Sequence, residues 1–395
     1  MNNIISLSNL TKSSNSVTSS TKIIIVRHGR TTYNEQGRYQ GSSDESVLTE
    51  KGHQAAYQTG LALQQFTFDA IYSSPLTRVQ ETAQEITTAL GNTNDNLPPI
   101  IVAPKLTEIN MSDWQGLFYQ EVREKFPKAY HCWQETPHLF TFDNSFFPVR
   151  ELFKKAQSFW QEILDKHQGQ TILIIAHGGT NRALISTAIS LEPKDYHSLQ
   201  QSNCGISYLE FPTNNSSIAK LKCLNFTNHL GEHLPKLKEG KQGWRWLLVS
   251  NQVSRKLLLN SCLCELIDRD LIDLVLSDNC EASEILVSNF LRSNHKAVHF
   301  PMPQDSFLEI WQQTIFARQK KKHSANHETL VTGLIIVREE SLCQILEKTL
   351  GAKIPLDTSN NLGVIHYPHA KQQSILQGLL PIDRQLFPQL TLAAA

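Results

Sequence analysis

Ile23-Ile24-Ile25-Val26, followed at once by Arg27-His28-Gly29-Arg30-Thr31-Thr32-Tyr33-Asn34, is the stretch on which the fold turns. Four β-branched residues in succession describe a short strand buried on both faces, the kind found in a parallel sheet. The strand stops at a cation, an imidazole and a glycine. In open α/β sheets, ligands sit just beyond the carboxyl ends of the strands, so a histidine at that edge is placed for chemistry. The pattern then returns. Thr171-Ile172-Leu173-Ile174-Ile175-Ala176 is a second buried run, and it closes on His177-Gly178-Gly179. Two such strands bring two imidazoles to the same edge of one sheet.

Working outward, Glu35-Gln36-Gly37-Arg38-Tyr39-Gln40-Gly41 reads as a polar loop, and Thr49 as a helix N-cap ahead of Ala55, Ala56, Leu61 and Leu63. Phe68-Asp69-Ala70-Ile71-Tyr72 reads as a strand running into Ser73-Ser74-Pro75-Leu76-Thr77-Arg78, where Ser74 can cap and Pro75 fits the first helical position. Leu76, Val79, Ala83, Ile86 and Leu90 fall at helical spacing, and Gly91 offers a stop. Arg78 then lies in the first turn, where its charge adds to the positive end of the helix dipole and favours a bound anion. Ile100-Ile101-Val102 is a third strand, followed closely by Leu106-Thr107-Glu108-Ile109. A helix from about residue 151 to 165 carries Leu152, Phe153, Ala156, Phe159 and Trp160 on one side, and the next helix starts at Asn181.

At 395 residues, two domains are the first expectation. Lys+Arg and Asp+Glu balance at 37 each, which favours neither nucleic acid nor anionic membrane as a partner. No apolar run approaches the roughly 20 residues that span a bilayer. Seven cysteines without a C-x-x-C spacing argue against a disulfide framework or zinc ribbon and suggest reduced thiols in a cytoplasmic protein. Residues 1–20, rich in Ser, Asn and Thr, read as a disordered tail rather than a secretory signal. The stretch has no acid, as in a transit peptide, but it contains no arginine.

The groups gathered at the sheet edge are Arg27, His28, Arg78, His177 and Glu108. Arginine forks suit phosphate oxygens. Neighbouring cations should keep an imidazole neutral and able to attack phosphorus. The second histidine can donate to an equatorial oxygen. A carboxyl group such as that of Glu108 can protonate the leaving alcohol and then activate water. No metal or other cofactor is required by this scheme.

Taken together, Arg27-His28-Gly29, the Ser74-Pro75-Leu76-Thr77-Arg78 helix start, Leu106-Thr107-Glu108 and Ala176-His177-Gly178 resemble the histidine phosphatase superfamily, the phosphoglycerate-mutase-like family, over roughly residues 21–230. The resemblance implies that His28 is the phosphorylated nucleophile and Glu108 the proton donor. It also implies a phosphate pocket of Arg27, Arg78 and His177, with Gly178 beside it and Asn34 at a position that helps bind phosphate. Arg30 stands where an acid is more usual. Between Glu108 and His177 there is no basic, proline-rich insertion of the mutase kind. The segment instead holds Phe126, Tyr130, Trp133, Phe140, Phe142, Phe146 and Phe147, expected to be a cap's own core. Asp113-Trp114-Gln115-Gly116 resembles the small broad phosphatases, including metal-independent phosphoserine phosphatases and ribazole phosphatases, whereas Phe146-Phe147-Pro148-Val149-Arg150-Glu151 lacks their usual glycine-glycine-glutamate.

Near Gly231 the pattern changes. His229 and His233 read as solvated linker residues, with no third ligand to make a metal site. Beyond the linker the chain repeats itself. Trp246-Leu247-Leu248-Val249 lies on Ile23 to Val26 and sets Ser250-Asn251-Gln252 on Arg27-His28-Gly29. Asp273 to Ser277 lies on Asp69 to Ser73, which puts Ala282 on Arg78. Leu334 to Val337 lies on Leu173 to Ala176, which puts Arg338 on His177, and Gly363-Val364-Ile365 lies on Gly205-Ile206-Ser207. Arg292, His295, Lys296 and His299, with Lys320-Lys321-Lys322-His323, form two basic clusters read as solvated faces.

The expected architecture is thus an α/β fold, a three-layer α/β/α sandwich with a mostly parallel sheet, plus a smaller degenerate α/β repeat. Its parts are a histidine phosphatase domain at 21–232, a linker at 233–243 and a catalytically inactive phosphatase-like domain at 244–395. The expected function is a metal-independent phosphomonoesterase working through phosphohistidine on a small phosphorylated metabolite, phosphoserine first. The rivals are a 2,3-bisphosphoglycerate-dependent phosphoglycerate mutase and a regulatory protein that senses a phosphorylated metabolite. The second half would then serve dimerisation, in a homo-oligomer, or substrate gating or ligand sensing.

Overall fold

The computed structural model describes residues 19–92, 96–213, 217–238, 240, 242–253, 272–292, 296–320, 330–368 and 373–382. Most of the expected tail, His295 and Lys321 to His323 lie outside the described residues. In chain order the first half contains β1 (Thr21–Arg27), α1 (Thr32–Gln36), α2 (Glu50–Ala62), β2 (Ala70–Ser73), α3 (Thr77–Gly91), β3 (Ile100–Val102), α4 (Tyr119–Lys125), α5 (Pro127–Glu135), α6 (Pro148–Lys166), β4 (Thr171–Ala176), α7 (Gly178–Ala188), β5 (Ile206–Phe211) and β6 (Lys220–Phe226). The second contains β7 (Gly243–Ser250), β8 (Leu274–Ser277), α8 (Glu281–Leu291), β9 (Val298–Pro301), α9 (Phe307–Lys320), β10 (Leu330–Val337), α10 (Glu339–Leu350), β11 (Asn361–Tyr367) and β12 (Ile375–Pro381).

Ile23 to Val26 are wholly buried, as a β-branched run in a central strand must be. Each such side chain contributes about 1.5–3 kcal/mol on leaving water. Alternation sends Ile23 and Ile25 into one hydrophobic cluster and Ile24 and Val26 into the other. The first cluster takes Leu152, Phe153, Ala156 and Phe159 of α6 with Ala183 and Leu184 of α7. The second takes Val79, Ala83 and Ile86 of α3. These are the three layers. β1 pairs in parallel with β4, β4 with β2 and β2 with β3, while β5 and β6 add antiparallel strands beyond β1. The carboxyl ends of β1, β2 and β4 therefore lie together.

The two halves share one twelve-stranded sheet, ordered β3-β2-β4-β1-β5-β6-β12-β11-β7-β10-β8-β9. Both hydrophobic clusters run through both halves: Trp244 and Trp246 join the first, Leu247 and Val249 the second. At the seam Leu224 faces Leu379, Asn225 Nδ2 donates to Gln377 O at 2.8 Å, and Lys222 pairs with Asp357. Read inward from its outer edge, the second half repeats the strand order of the first. Asp69 N donates to Thr171 O at 2.8 Å while Thr171 N donates to Asp69 Oδ2 at 2.8 Å. Asp273 and Thr332 exchange the same pair, at 2.8 and 2.7 Å. One alignment shifts: Ser207 pairs with Ile25, whereas Gly363 pairs with Leu248, so Gly363 lies on Ser207 and not on Gly205.

Local details also move. Glu35 and Gln36 belong to α1, capped by Thr31, and not to the following loop. α7 begins at Gly178, three residues before the expected start. His229 is half-buried and shares a 3.0 Å hydrogen bond between its Nε2 and Thr59 Oγ1, so it is no solvated linker side chain. The aromatic segment packs largely on itself: Trp114 contacts Phe126, Trp133, Phe140 and Phe142, with ring centroids 4.9–6.5 Å apart. No helix among the described residues is long and apolar enough to cross a membrane.

Candidate active site

β1 delivers Arg27 and, one residue on, His28, whose backbone N–H donates to Ala176 O at 2.9 Å and locks the ends of β1 and β4 together. His28 is 2 % exposed, and its ring stands 5.3 Å from that of His177, centroid to centroid. The Nδ1 of His28 lies 2.8 Å from Gly29 O. A carbonyl only accepts, so Nδ1 carries the proton in the neutral ring and the lone pair is left on Nε2. His177 Nε2 meets Ser74 Oγ at 2.7 Å.

Arg78 is fully buried in the first turn of α3. Its Nη1 donates to Ser43 O at 2.7 Å and its Nη2 to Gly41 O at 2.9 Å, so the preceding loop wraps its guanidinium. The anion that this helix start calls for is partly internal. Asp44 Oδ1 accepts from Thr77 N at 2.7 Å, and Asp44 Oδ2 from Thr77 Oγ1 at 2.8 Å. Asp44 thus holds the first amide of α3, while Ser74 Oγ accepts from Leu76 N at 3.4 Å just ahead of the helix and also meets His177. Arg27 donates through Nη1 to Gln201 O at 3.0 Å. The Nε atoms of both arginines are buried without a protein partner.

Glu108 reaches the N-terminus of α7 from across the sheet. Its Oε2 accepts from Gly179 N at 2.9 Å; its Oε1 accepts from Thr180 N at 3.0 Å, Thr180 Oγ1 at 3.2 Å and Ile109 N at 2.8 Å. This explains the early start of α7: two glycines are poor helix formers, but a carboxylate on the second and third amides supplies the cap. A side chain at Gly179 would place its Cβ 2.5 Å from Glu108 Oε1 and 2.4 Å from the Tyr196 hydroxyl, so only glycine fits. Gly178 leaves similar room beside Arg27 Nε, 3.2 Å from where a Cβ would stand.

Asn34 is the third residue of α1, and its Oδ1 accepts from Thr31 N at 3.3 Å and Asn203 Nδ2 at 3.0 Å. Only its amide N–H groups can then address an anion. Asn203 Nδ2 also donates to His28 O and Gly29 O, both at 3.1 Å, and so braces the loop that carries His28. Sequence reading had missed Ser74, Thr180, Gly179 and Asn203 as parts of the site. All four act through contacts between distant segments, which leave no local pattern.

Burial pushes the His28 pKa well below its ordinary value of 6.5, with Arg27 and Arg78 adding to the effect. His177 is lowered in the same direction, by burial first and then by Arg78. Burial also brings Arg78 down to about 10, still protonated at neutral pH. The sign for stability follows from linkage. Below about pH 6.5 an unfolded chain takes up protons that the folded imidazoles refuse, so the fold loses up to about 1.4 kcal/mol per pH unit per histidine as pH falls. Urea midpoints should therefore drop from pH 7.5 to 5.5, and less steeply in a His28→Gln/His177→Gln double variant. Identical slopes in the two proteins would sink this account.

The same edge of the second half is built differently. Asn251 N donates to Val337 O at 2.8 Å, as His28 N does to Ala176 O. Asp278 stands in place of Ser74 and Arg338 in place of His177, and the two meet: Asp278 Oδ2 accepts from Arg338 N at 3.0 Å and forms an ion pair with the Arg338 guanidinium, whose Nε lies 3.4 Å away. Asp278 Oδ1 accepts from Ser283 Oγ at 2.6 Å. Where Glu108 follows β3, buried Phe307 follows β9 at the same interval. Among the described residues, no group of three or more His, Cys, Asp or Glu side chains is placed to hold a metal ion.

A three-layer sandwich with two histidines and two arginines at the carboxyl edge of its sheet defines a class of protein, and the sequence agrees. The profile of the histidine phosphatase superfamily (branch 1) matches residues 23–224, and the chain belongs to that superfamily. It is 41 % identical over 207 residues to the Arabidopsis thaliana "Probable 2-carboxy-D-arabinitol-1-phosphatase", covering 52 % of this chain and 41 % of that protein. It is 39 % identical over 207 residues to the Triticum aestivum "2-carboxy-D-arabinitol-1-phosphatase", covering 52 % and 40 %. It is 32 % identical over 211 residues to "Phosphoserine phosphatase 1" of Hydrogenobacter thermophilus, covering 53 % of this chain and 95 % of that one. The chain thus spans about two fifths of the length of the two plant relatives.

Proposed function

We propose that the chain is a phosphomonoesterase that cleaves a small phosphorylated carboxylic acid through a phosphohistidine on His28, without a metal. The observation that carries this reading is the neutral, buried His28, its Nδ1 turned to Gly29 O and its Nε2 lone pair available. In the first step Nε2 attacks phosphorus and the bond to the alcohol oxygen breaks. Glu108, carrying a proton, delivers it to that oxygen. In the second step Glu108 takes a proton from water as the water oxygen attacks phosphorus, releasing phosphate and restoring His28. Arg27, Arg78 and His177 hold the equatorial oxygens, and Asn34 offers its amide. We assign Ser74 Oγ, 2.7 Å from His177 Nε2, as the donor of that hydrogen bond, which leaves the proton on His177 Nδ1 for the phosphoryl group.

A carboxylated substrate is favoured because the relatives' names specify 2-carboxy-D-arabinitol 1-phosphate and phosphoserine as their substrates, and each bears a carboxylate. The second half we read as a copy of the same fold that has lost catalysis, on its repeated strand order and the Asp278–Arg338 pair at the equivalent edge. Where the first half is built to receive an external anion, the second carries its own.

The test is phosphate release by the full chain, with chelator present, from phosphoserine, 3-phosphoglycerate, 2-carboxyarabinitol 1-phosphate, glycerol 3-phosphate and glucose 6-phosphate. The carboxylated esters should be preferred. Movement of phosphate between the hydroxyls of phosphoglycerate, without release, would favour the mutase instead.

A further inference from the structure

The segment joining the halves is anchored rather than loose. Gln200 Nε2 donates to Lys236 O at 3.0 Å, and Arg245, 8 % exposed, donates through Nη2 to Pro235 O at 2.5 Å. Two residues further on, the Lys238 ammonium donates to Gln201 O, the carbonyl that also receives Arg27 Nη1 at 3.0 Å. A lysine from outside the superfamily match thus converges with a phosphate-pocket arginine on one oxygen. It is the more exposed of the two. Its charge is felt at the His28 imidazole, where it adds to Arg27 and Arg78 in disfavouring protonation.

We infer that Lys238 is a specificity-determining residue, which binds a second anionic group, a carboxylate, on the part of the substrate that leaves as the alcohol. The phosphoryl group is held by Arg27, Arg78, His28 and His177, so the rest of the substrate extends outward from that pocket. An ammonium beside Arg27, on the more exposed side, meets it there. Lysine is a compact charge on a flexible stem and suits a carboxylate whose position varies between substrates. The arrangement also gives the join between the halves a part in recognition. Gln200, Arg245 and the seam hold the segment from which Lys238 reaches.

This inference rests on the phosphatase reading, and the experiment separates the two. Two esters that differ by a carboxylate in place of a hydroxymethyl group, 3-phosphoglycerate and glycerol 3-phosphate, are compared by kcat/KM in the full chain. Lys238→Ala should reduce the preference for 3-phosphoglycerate about five- to tenfold, through KM, as expected for a partly exposed charge-assisted contact. Lys238→Glu should reduce it about twentyfold or more, and Lys238→Arg should largely keep it. An unchanged ratio in folded Lys238→Ala and Lys238→Glu overturns the inference while leaving the phosphatase reading intact. Calorimetric binding of the same two ligands to His28→Ala protein, with and without Lys238→Ala, gives the same ratio independently of turnover. If the wild type cleaves no phosphomonoester yet the binding ratio still falls, the catalytic reading fails and Lys238 stands. Binding of neither ligand overturns both.

Discussion

His28→Ala is expected to lower kcat by at least about 10⁴-fold while leaving the affinity for a phosphomonoester within a few-fold. The asymmetry comes from how the site divides its work. Arg27, Arg78 and His177, which the proposed mechanism sets on the phosphoryl oxygens, remain in place, and Asn203 still braces the backbone at 28–29. What is lost, on the proposed mechanism, is the atom that would form the bond to phosphorus. Wild-type protein quenched during turnover of ³²P-labelled substrate should carry acid-labile label on histidine, and His28→Ala should carry none. The variant should also resist acid better, because one buried imidazole no longer opposes protonation as pH falls. Label retained by His28→Ala, or activity within tenfold of wild type, would remove His28 from the role of nucleophile.

Much of this was legible in the sequence where local chemistry decides. β1 and β4 could be read from their short, β-branched-rich apolar runs because a strand buried on both faces shows no alternation of polar and apolar residues. His28, His177 and Arg78 could be read because each stands at a strand end or helix start, and Glu108, in the loop after β3, through its Leu106-Thr107-Glu108 motif; the structure brings the four together. What failed was whatever depends on a partner far along the chain. Ser74 does take the Leu76 amide, but α3 starts only at Thr77, where Asp44 from a distant loop holds the first amide. Gly178 and Gly179 look unlike a helix until Glu108 is placed on their amides. His229 looks solvated until Thr59 is found beside it.

Register shows the same limit. A shift of two residues keeps every side chain on its face, so the true match of Gly363 to Ser207 could not be told from the expected one by alternation. The linker, too, reads as a passive join from its lysines and glycines. Its place beside Arg27 becomes visible only through Gln200, Gln201 and Arg245.

Glu108→Gln should lower kcat for an alkyl phosphate by about 10²–10⁴-fold, the usual worth of a general acid, and lower stability as well. Both Glu108 oxygens accept backbone N–H groups, from Gly179 on one side and from Thr180 and Ile109 on the other. Glutamine has one oxygen to offer. Whichever way it turns, its NH₂ group faces an N–H donor at the start of α7, at a cost of about 1–3 kcal/mol. A mere loss of positioning would slow every substrate alike. Loss of the proton donor would not, because p-nitrophenolate leaves without help whereas an alkoxide does not. The expected result is a penalty for an alkyl ester at least about tenfold larger than that for p-nitrophenyl phosphate. Equal losses for the two esters would make Glu108 the cap of α7 and nothing more, and the proton would have to come from elsewhere in the site.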